Sequence, residues 1–257
     1  MPRWARILLW CAVGVFGVCL YLWYFGVQTV MAVQARYWGW RNPIIWKVPV
    51  ELTDQSISKS AGRRLSYLGY EFEVPWNDLD EEQTKIVRAW QLVNFRSGNA
   101  IVLMKHEPLD LLENLSRTGN ALGKRYGDEF AQVSDYETIR LILEAAPDKI
   151  TPFSSRRQAV REFSPLVFKQ IFMMNGETGV FQIRTPQFRG FQYGNPASNP
   201  AEIRDDLYSD HGSVGFVFRH GKSRSIFQAE INRVIQTVRL LDDQTSGSDS
   251  ACPQHAP

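Results

Sequence analysis

The feature that most constrains this chain is an uncharged, mostly apolar stretch near its N-terminus. No charged residue occurs from Ile7 to Ala35, and residues 7–27 are almost wholly apolar. In a helix that rises about 1.5 Å per residue, residues 7–27 extend about 30 Å. This is the thickness of the hydrocarbon core of a bilayer. The sequence therefore predicts one transmembrane helix, with the lipid bilayer as the partner of residues 7–27.

Aromatic residues on both sides of this stretch support the same interpretation. Six of the eight tryptophans fall within the first 46 residues, and tryptophan is enriched at the two membrane interfaces. The alternative is a cleavable signal peptide, since Val33-Gln34-Ala35 resembles a cleavage site. The apolar stretch is longer than the roughly 7–15 residues of a signal peptide, so the sequence favours an uncleaved signal-anchor helix.

Basic residues near the two ends of the stretch bear on its orientation. Arg3 and Arg6 precede it, whereas Arg36, Arg41 and Lys47 follow it, so the positive-inside rule alone is close to a tie. Signal-anchor proteins commonly export the part that follows the span. We therefore expect a single-pass protein with a cytoplasmic N-terminus and a C-terminal domain that is exported, to a periplasm or to the outside of the cell.

The charge of the remaining chain indicates which partners to expect. Of the net charge of +2, residues 1–50 contribute +5, because they contain five basic residues and no acidic one. The remainder is near −3, so it offers no electrostatic reason to bind nucleic acid. Two of the three cysteines, Cys11 and Cys19, lie in the apolar stretch and Cys252 lies in the tail, so the predicted domain needs no disulfide.

Hydrophobic periodicity predicts the order of the elements. Apolar and charged residues alternate from Tyr70 to Val74, which indicates a strand with one buried face, and Ser97-Gly98-Asn99 predicts a hairpin turn. The predicted strands are 44–50, 70–74, 85–95, 100–105, 179–184, 187–193 and 213–219. The predicted helices are 108–122, 136–146 after a cap at Ser134 or Asp135, 154–174 with a kink at Pro165, and 227–241 after a cap at Ser225.

These elements predict four segments: a tail and signal-anchor helix (1–35), a juxtamembrane segment (36–66), a soluble domain (67–242) and a disordered tail (243–257). Strands and helices are segregated rather than alternating, so the expected fold class is α+β, with an antiparallel sheet packed against helices. Residues 194–212 are predicted to be a loop of about nineteen residues between the last two strands, because this stretch is rich in Asn, Pro and Asp.

The order of these elements resembles a known fold family. The strand Ser213–Arg219 that leads into the helix Phe227–Leu241, together with the opening strand Tyr70–Pro75, resembles the PsbP-like (Mog1-type) α+β sandwich over about residues 67–241. The resemblance implies an adaptor or assembly factor rather than an enzyme. A fold does not by itself establish a function.

Sequence motifs for catalysis are weak in this chain. Gly119–Lys124 resembles a phosphate loop, but its spacing is one residue short and Arg125 stands where Ser or Thr would hold magnesium. We interpret it as the C-terminus of a helix, capped by glycine. The histidines His211 and His220 lie at opposite ends of one predicted strand, about 30 Å apart, and therefore cannot share a metal ion. We predict no catalytic residue, no metal site and no cofactor.

Two neighbouring segments are the candidate binding residues. The stretch Phe188–Pro196 combines aromatic residues with two glycines and Arg189, which could grip a carboxylate or phosphate; alternatively its aromatic residues fill the core and its glycines mark a bulge and a turn. The second segment, Asp205–His211, could bind a cation through oxygen atoms; alternatively, it is a solvated acidic loop. The predicted ligand- or partner-binding residues are Phe188, Arg189, Phe191, Tyr193, Asp205, Asp206, Asp210 and His211.

The sequence thus predicts a membrane-anchored, exported and non-catalytic binding or assembly module, with a protein partner in a membrane complex. The alternative is a membrane-tethered hydrolase whose active-site residues are scattered too widely along the chain to be recognised. The two hypotheses differ in the residues that they place around a pocket. A Ser or Asp beside a histidine would favour the hydrolase, whereas aromatic residues with Arg189 would favour binding.

Overall fold

A computed structural model describes residues 3–60, 62–87, 90–106, 134–172, 179–198, 201–221 and 225–241. The chain divides into two compact units, which we call the helical unit (1–49 with 111–177) and the sheet unit (50–110 with 178–257). The predicted helix 108–122, the motif Gly119–Lys124 and the predicted disordered tail lie outside the described residues.

The described part of the helical unit consists of three α-helices and two 3-10 turns. The helices are α1 (Arg3–Arg41), α2 (Asp135–Glu144) and α3 (Arg156–Phe172), and the 3-10 turns are Pro43–Trp46 and Pro147–Lys149. Ser134 caps α2 as predicted, because its side chain accepts a hydrogen bond from the Glu137 amide. Pro165 lies inside α3, and the helix continues through it.

Helix α1 is longer than the apolar stretch that predicted it. Within it, Trp10–Arg41 is long and apolar enough to cross a membrane by length and composition. The predicted strand 44–50 is wrong over most of its length. The Asn42 side chain accepts a hydrogen bond from the Ile44 amide and begins a 3-10 turn that buries Ile44 and Ile45. Only Val50–Glu51 is a strand.

Burial along α1 changes near its middle. Every side chain from Trp10 to Leu20 is exposed. From Tyr21 onward, one stripe of α1 side chains at helical spacing is covered by the rest of the helical unit. Trp38 belongs to this stripe, and its ring stacks on that of Phe163 of α3 at 5.2 Å between centroids. The buried members of this stripe are Gln28, Ala32, Ala35 and Gly39. The first part of α1 therefore has no packing partner among the described residues, and the second part is integrated into a helical bundle.

The sheet unit contains eleven described strands and one described α-helix. The strands are β1 (Val50–Glu51), β2 (Arg63–Tyr67), β3 (Tyr70–Val74), β4 (Leu79–Val87), β5 (Trp90–Phe95), β6 (Ala100–His106), β7 (Val180–Arg184), β8 (Arg189–Tyr193), β9 (Glu202–Ser209), β10 (Gly212–Arg219) and β11 (Arg239–Leu240), and the helix is α4 (Gln228–Thr237). Eight strands form a large sheet in the order β1-β7-β8-β9-β10-β6-β5-β4, and three form a small sheet in the order β11-β3-β2.

The fold class α+β is confirmed, with one correction to the sheet. Strand β1 pairs with β7 in parallel, so the large sheet is mixed rather than antiparallel throughout. The predicted β5–β6 hairpin is confirmed: the Phe95 amide donates to the Asn99 carbonyl, and Gly98 supplies the positive φ of +88° that the turn requires. The predicted strand 85–95 is in fact two antiparallel strands, β4 and β5.

The core of the sheet unit lies where the small sheet and α4 pack on one face of the large sheet. Phe72 of β3 meets Phe216 of β10 edge-to-face at 5.3 Å, and Ile231 and Val234 of α4 are fully buried in the same cluster. The alternation that predicted β3 is confirmed, because its side chains are alternately buried and half-buried.

The predicted last helix is right at its centre and wrong at both ends. Helix α4 ends at Thr237, and the chain continues as β11. Its N-cap is Phe227 rather than Ser225, and Phe227 is exposed rather than part of the buried stripe. The Glu230 carboxylate accepts a hydrogen bond from the Phe227 amide at 3.0 Å and another from the indole N–H of Trp76. Glu230 therefore fixes the start of α4 and joins it to the chain after β3.

The predicted loop 194–212 is also corrected. It contains β9, an eight-residue strand in the interior of the large sheet between β8 and β10. Consecutive aspartates rarely occur in strands, which is why the sequence favoured a loop. In the structure, the apolar residues Ile203 and Leu207 determine the outcome, because both are fully buried in the core cluster.

Candidate functional site

The candidate residues of the two segments meet in the paired strands β8 and β9. In the register of this pair, Arg189 lies opposite Tyr208, Phe191 opposite Asp206, and Gln192 opposite Asp205. Side chains alternate between the two faces of a strand, so the adjacent residues Asp205 and Asp206 lie on opposite faces of the sheet. They therefore cannot act on one ligand together.

The predicted acidic cluster is divided in a second way. Asp205 and Asp206 are buried within β9, at 0% and 2% exposure. Asp210 and His211 are exposed in the turn that joins β9 to β10, where the His211 amide donates to the Ser209 hydroxyl. The interpretation of all four as one solvated loop is thus wrong for the two aspartates in the strand.

On the first face of the sheet, Asp206 forms a bidentate ion pair with Arg204. The two nitrogen–oxygen distances are 2.8 Å and 3.0 Å, and the guanidinium also lies over the ring of Tyr193 at 5.5 Å from its centroid. Burial lowers the pKa of Arg204, but the charge and hydrogen bonds of Asp206 raise it more, so the net shift is upward. Arg204 therefore stays charged, and each of the two charged groups already has its ionic partner within the protein.

On the opposite face, a chain of side-chain amides leads from the sheet to α4. Gln192 and Gln228 donate to each other at 2.8 Å, Gln228 donates to Asn232, and Asn232 donates to the carbonyl oxygens of Asp54 and Ser56. We call Gln192, Gln228 and Asn232 the amide chain. Because it ends on backbone carbonyls, it fastens the segment after β1 across α4.

Asp205 lies on the same face as this chain, opposite Gln192, yet it takes no part in it. Neither carboxyl oxygen of Asp205 has a hydrogen-bond partner among the described residues, and both are inaccessible to solvent. Loss of solvent raises the pKa of Asp205 well above its usual value, and the nearby charge of Asp206 raises it further. The fold therefore holds this carboxyl in its neutral form at pH values where an exposed aspartate is ionised.

The three aromatic candidates are buried, but on different faces of the large sheet. Phe188 belongs to the core cluster, whereas Phe191 and Tyr193 lie on the face of Asp206 and Arg204. Phe188, Phe191 and Tyr193 are 2%, 0% and 6% exposed, and the ring of Phe188 lies 6.4 Å from that of Tyr70. Gly190 has a packing role as well, because a Cβ at this position would clash with the carbonyl oxygen of Asp206 in the neighbouring strand. At Gly190, therefore, the backbones of β8 and β9 approach each other closely.

Arg189, at the first position of β8, is exposed. Its proposed grip on a carboxylate or phosphate stays a prediction. The described residues contain no group of three or more His, Cys, Asp or Glu side chains that could hold a metal ion.

Sequence reasoning missed the amide chain and Arg204. Gln228 and Asn232 are four residues apart, so they lie on one face of a helix, and this spacing was the available signal. Gln192 gave none, because its role depends on the strand register. Arg204 and Asp206 are two residues apart, a spacing that places them on one face only in a strand, and this segment was predicted to be a loop.

Comparisons with known proteins do not extend this description. No family model, no curated protein and no solved structure matches the chain.

Proposed function

We propose that this protein is a single-pass, membrane-anchored module with an exported C-terminal part, which binds or assembles with a protein partner without catalysing a reaction. The observation that carries the proposal is the exposed first half of α1. Trp10, Phe16 and Val18 are 73%, 65% and 59% exposed, and a cluster of exposed apolar side chains of this kind needs a non-aqueous environment.

The interior of the sheet unit supports a binding module over a hydrolase. A hydrolytic site built on two carboxylates needs both of them near the same bond, and Asp205 and Asp206 lie on opposite faces of one strand. The Asp206 carboxylate is paired with Arg204, and the neutral Asp205 carboxyl is sealed from solvent. These groups contribute to the architecture of the sheet, and a partner would bind to the outer surface.

The finer assignment, a PsbP-like (Mog1-type) sandwich, belongs to the same proposal. The strand–helix order at the C-terminal end of the sheet unit supports it, because β10 precedes α4 and α4 packs beside β3. This assignment would make the module an adaptor or assembly factor.

Topology is tested first. A reporter that is active only outside the cytoplasm, fused after Leu241, should be active, and replacing Arg3 and Arg6 with Ala should reduce correct insertion. Activity of a cytoplasm-only reporter at the same point would contradict export. Release of a soluble species that begins near Arg36 would show a cleaved signal peptide instead of an anchor.

Partner binding is tested by site-specific photo-crosslinking in native membranes. A photoreactive residue at Arg189 should give one discrete crosslinked protein, and Arg189→Ala should weaken co-purification of that protein while the variant stays folded, as its melting temperature measures. Arg64, which is also an exposed arginine on a strand, provides the matched control position. Equal labelling from both positions, or none from Arg189, would remove Arg189 from the binding surface.

A further inference from the structure

A second apolar group lies beside the end of the predicted span. Phe153, in the turn before α3, is 76% exposed, yet its ring packs edge-to-face on Phe25 of α1 at 6.3 Å between centroids. Phe25 is two residues before Val27, where the predicted span ends. At about 1.5 Å per residue, the Cα atom of Phe25 lies about 3 Å inside that end.

The direction of α3 fixes how this turn is presented. Two ring contacts join α1 and α3 in the same chain order: Phe25 meets Phe153, and Trp38 meets Phe163. Helix α3 therefore runs alongside α1 in parallel and away from the predicted span. The turn at Thr151–Ser155 is consequently the part of this helix pair that lies nearest to the span.

The chemistry of the turn matches a lipid interface. Phe153 is the apolar tip, and Arg156 and Arg157, both exposed, occupy the first turn of α3. An aromatic ring is stable at the headgroup boundary, and a guanidinium recognises phosphate oxygens. In water, the 76% of this side chain that is exposed would remain hydrated.

We propose that the turn Thr151–Ser155 is a second membrane contact, in which the ring of Phe153 enters the phospholipid interface beside the end of the α1 span. The occupant of this surface is the lipid bilayer. The inference rests on the proposed insertion of α1, because Phe25 marks the depth of the turn only if residues 7–27 cross the bilayer. It adds a contact that the single apolar stretch did not predict.

The test uses the full chain in lipid nanodiscs, with Cys11, Cys19 and Cys252 replaced by Ala and one environment-sensitive fluorophore on a new cysteine. Three variants are compared: Phe153→Cys, Leu141→Cys as an exposed apolar position on α2, and Val15→Cys in the middle of the apolar stretch. We expect nitroxide lipids to quench the labels at positions 153 and 15, and aqueous iodide to quench the label at 141 several-fold more strongly than the label at 153.

The outcomes separate this inference from the proposal on which it rests. A label at 153 that iodide quenches as strongly as the label at 141 would overturn the membrane contact, provided that the label at 15 is still quenched by lipid. A label at 153 that is protected from both quenchers would show that protein covers the turn, which would also overturn it. A label at 15 that lipid does not quench would overturn the α1 anchor itself.

Discussion

At the scale of single residues, the adjacent carboxyls of β9 should respond in opposite ways to the same substitution. Asp205→Asn keeps a neutral side chain of the same shape but has no carboxyl that must take up a proton on folding, so at pH 7 it should raise the free energy of unfolding by on the order of 1–3 kcal/mol. Asp206→Asn leaves the guanidinium of Arg204 without its ionic partner, so it should lower the free energy of unfolding by on the order of 1–3 kcal/mol. Solvent around Arg204 makes this loss smaller than for a fully buried ion pair. Thermal melting in detergent measures both changes.

The pH dependence of the first variant provides its control. The folded pKa of Asp205 is raised, so its contribution to stability is complete below the unfolded pKa of about 3.8 and is lost as the pH rises toward the folded pKa. The advantage of Asp205→Asn should therefore be large at pH 7 and small near pH 4. A gain that does not change with pH would show that the carboxyl is not held neutral.

A buried lysine of the helical unit should act in the opposite direction to Asp205: it should make the free energy of unfolding rise, rather than fall, as the pH increases. Lys169 of α3 is fully buried and donates to the Ala145 carbonyl at 2.7 Å. Burial lowers its pKa to about 8, with a smaller contribution from the positive charge of Lys149. Because the folded pKa lies below the unfolded value of 10.5, the protein should gain stability between about pH 8 and pH 10.5.

The measurement is the melting temperature across this range, compared between the wild type and Lys169→Met. The variant should lack the gain at high pH, whatever its stability at pH 7 after loss of the hydrogen bond to Ala145. Parallel curves for the two proteins would assign the gain to other groups. Lys149→Met serves as the control, since Lys149 is exposed and should leave most of the gain in place.

At the scale of secondary-structure elements, the pairing of β8 with β9 depends on the absence of a side chain at Gly190. Gly190→Ala places a Cβ against the carbonyl oxygen of Asp206, and a backbone atom cannot move aside as a flexible side chain can. We expect this substitution to lower the free energy of unfolding by about 1–3 kcal/mol. Gly179→Ala is the matched control, because its Cβ would meet only the ring of Phe181. Equal melting temperatures for the two variants would show that β8 and β9 can separate without cost.

The elements also show which parts of the fold the sequence could predict. Strand β3 was predictable because the alternation of Tyr70–Val74 is a local consequence of having one buried face. Strand β9 was not, since Asp205 and Asp206 favour a loop locally and only the neighbouring strands make an extended backbone favourable there. The end of α4 was missed for a related reason, because the periodic stripe continues through Val238 although residues 239–240 pair with β3.

The same distinction applies to the candidate site. The segment 188–196 was recognised as unusual from its composition, and the structure buries its aromatic residues on both faces of the large sheet. Which face each side chain occupies depends on a register between strands, and a shift by one residue would exchange the two faces. No local pattern specifies that register, so the link between Gln192 and Gln228 could be identified only in three dimensions. The ion pair of Arg204 with Asp206 was missed because the i,i+2 spacing has this meaning only in a strand.

At the scale of the whole molecule, the anchor makes a prediction about position along α1. Val15→Lys places a charge near the centre of the predicted span, where insertion scales give a cost of about 2.5–3.5 kcal/mol. Val30→Lys changes a valine of similar exposure, 63% against 65%, that lies beyond residue 27. We expect the first variant to reduce strongly the fraction of protein that resists alkaline extraction from membranes, and the second to reduce it much less.

Equal effects at the two positions would indicate that the bilayer-embedded part of α1 lies closer to the C-terminal end of the helix than residues 7–27. The absence of any effect at Val15 would contradict the anchor. Immunoblots of total protein are needed beside the extraction, because a variant that fails to insert is degraded and would otherwise be counted as extracted.

Helix α1 is unbroken from Arg3 to Arg41, which has a mechanical consequence. At about 1.5 Å per residue it is a rod of about 58 Å, roughly twice the hydrocarbon thickness of a bilayer, and no proline or other helix-breaking feature separates its exposed first half from its packed second half. A change in the tilt of the first half must therefore be transmitted to the helices packed on the second half. Bilayers of different thickness change the tilt of a transmembrane helix. They would therefore change the orientation of the packed helices of the helical unit relative to the membrane plane.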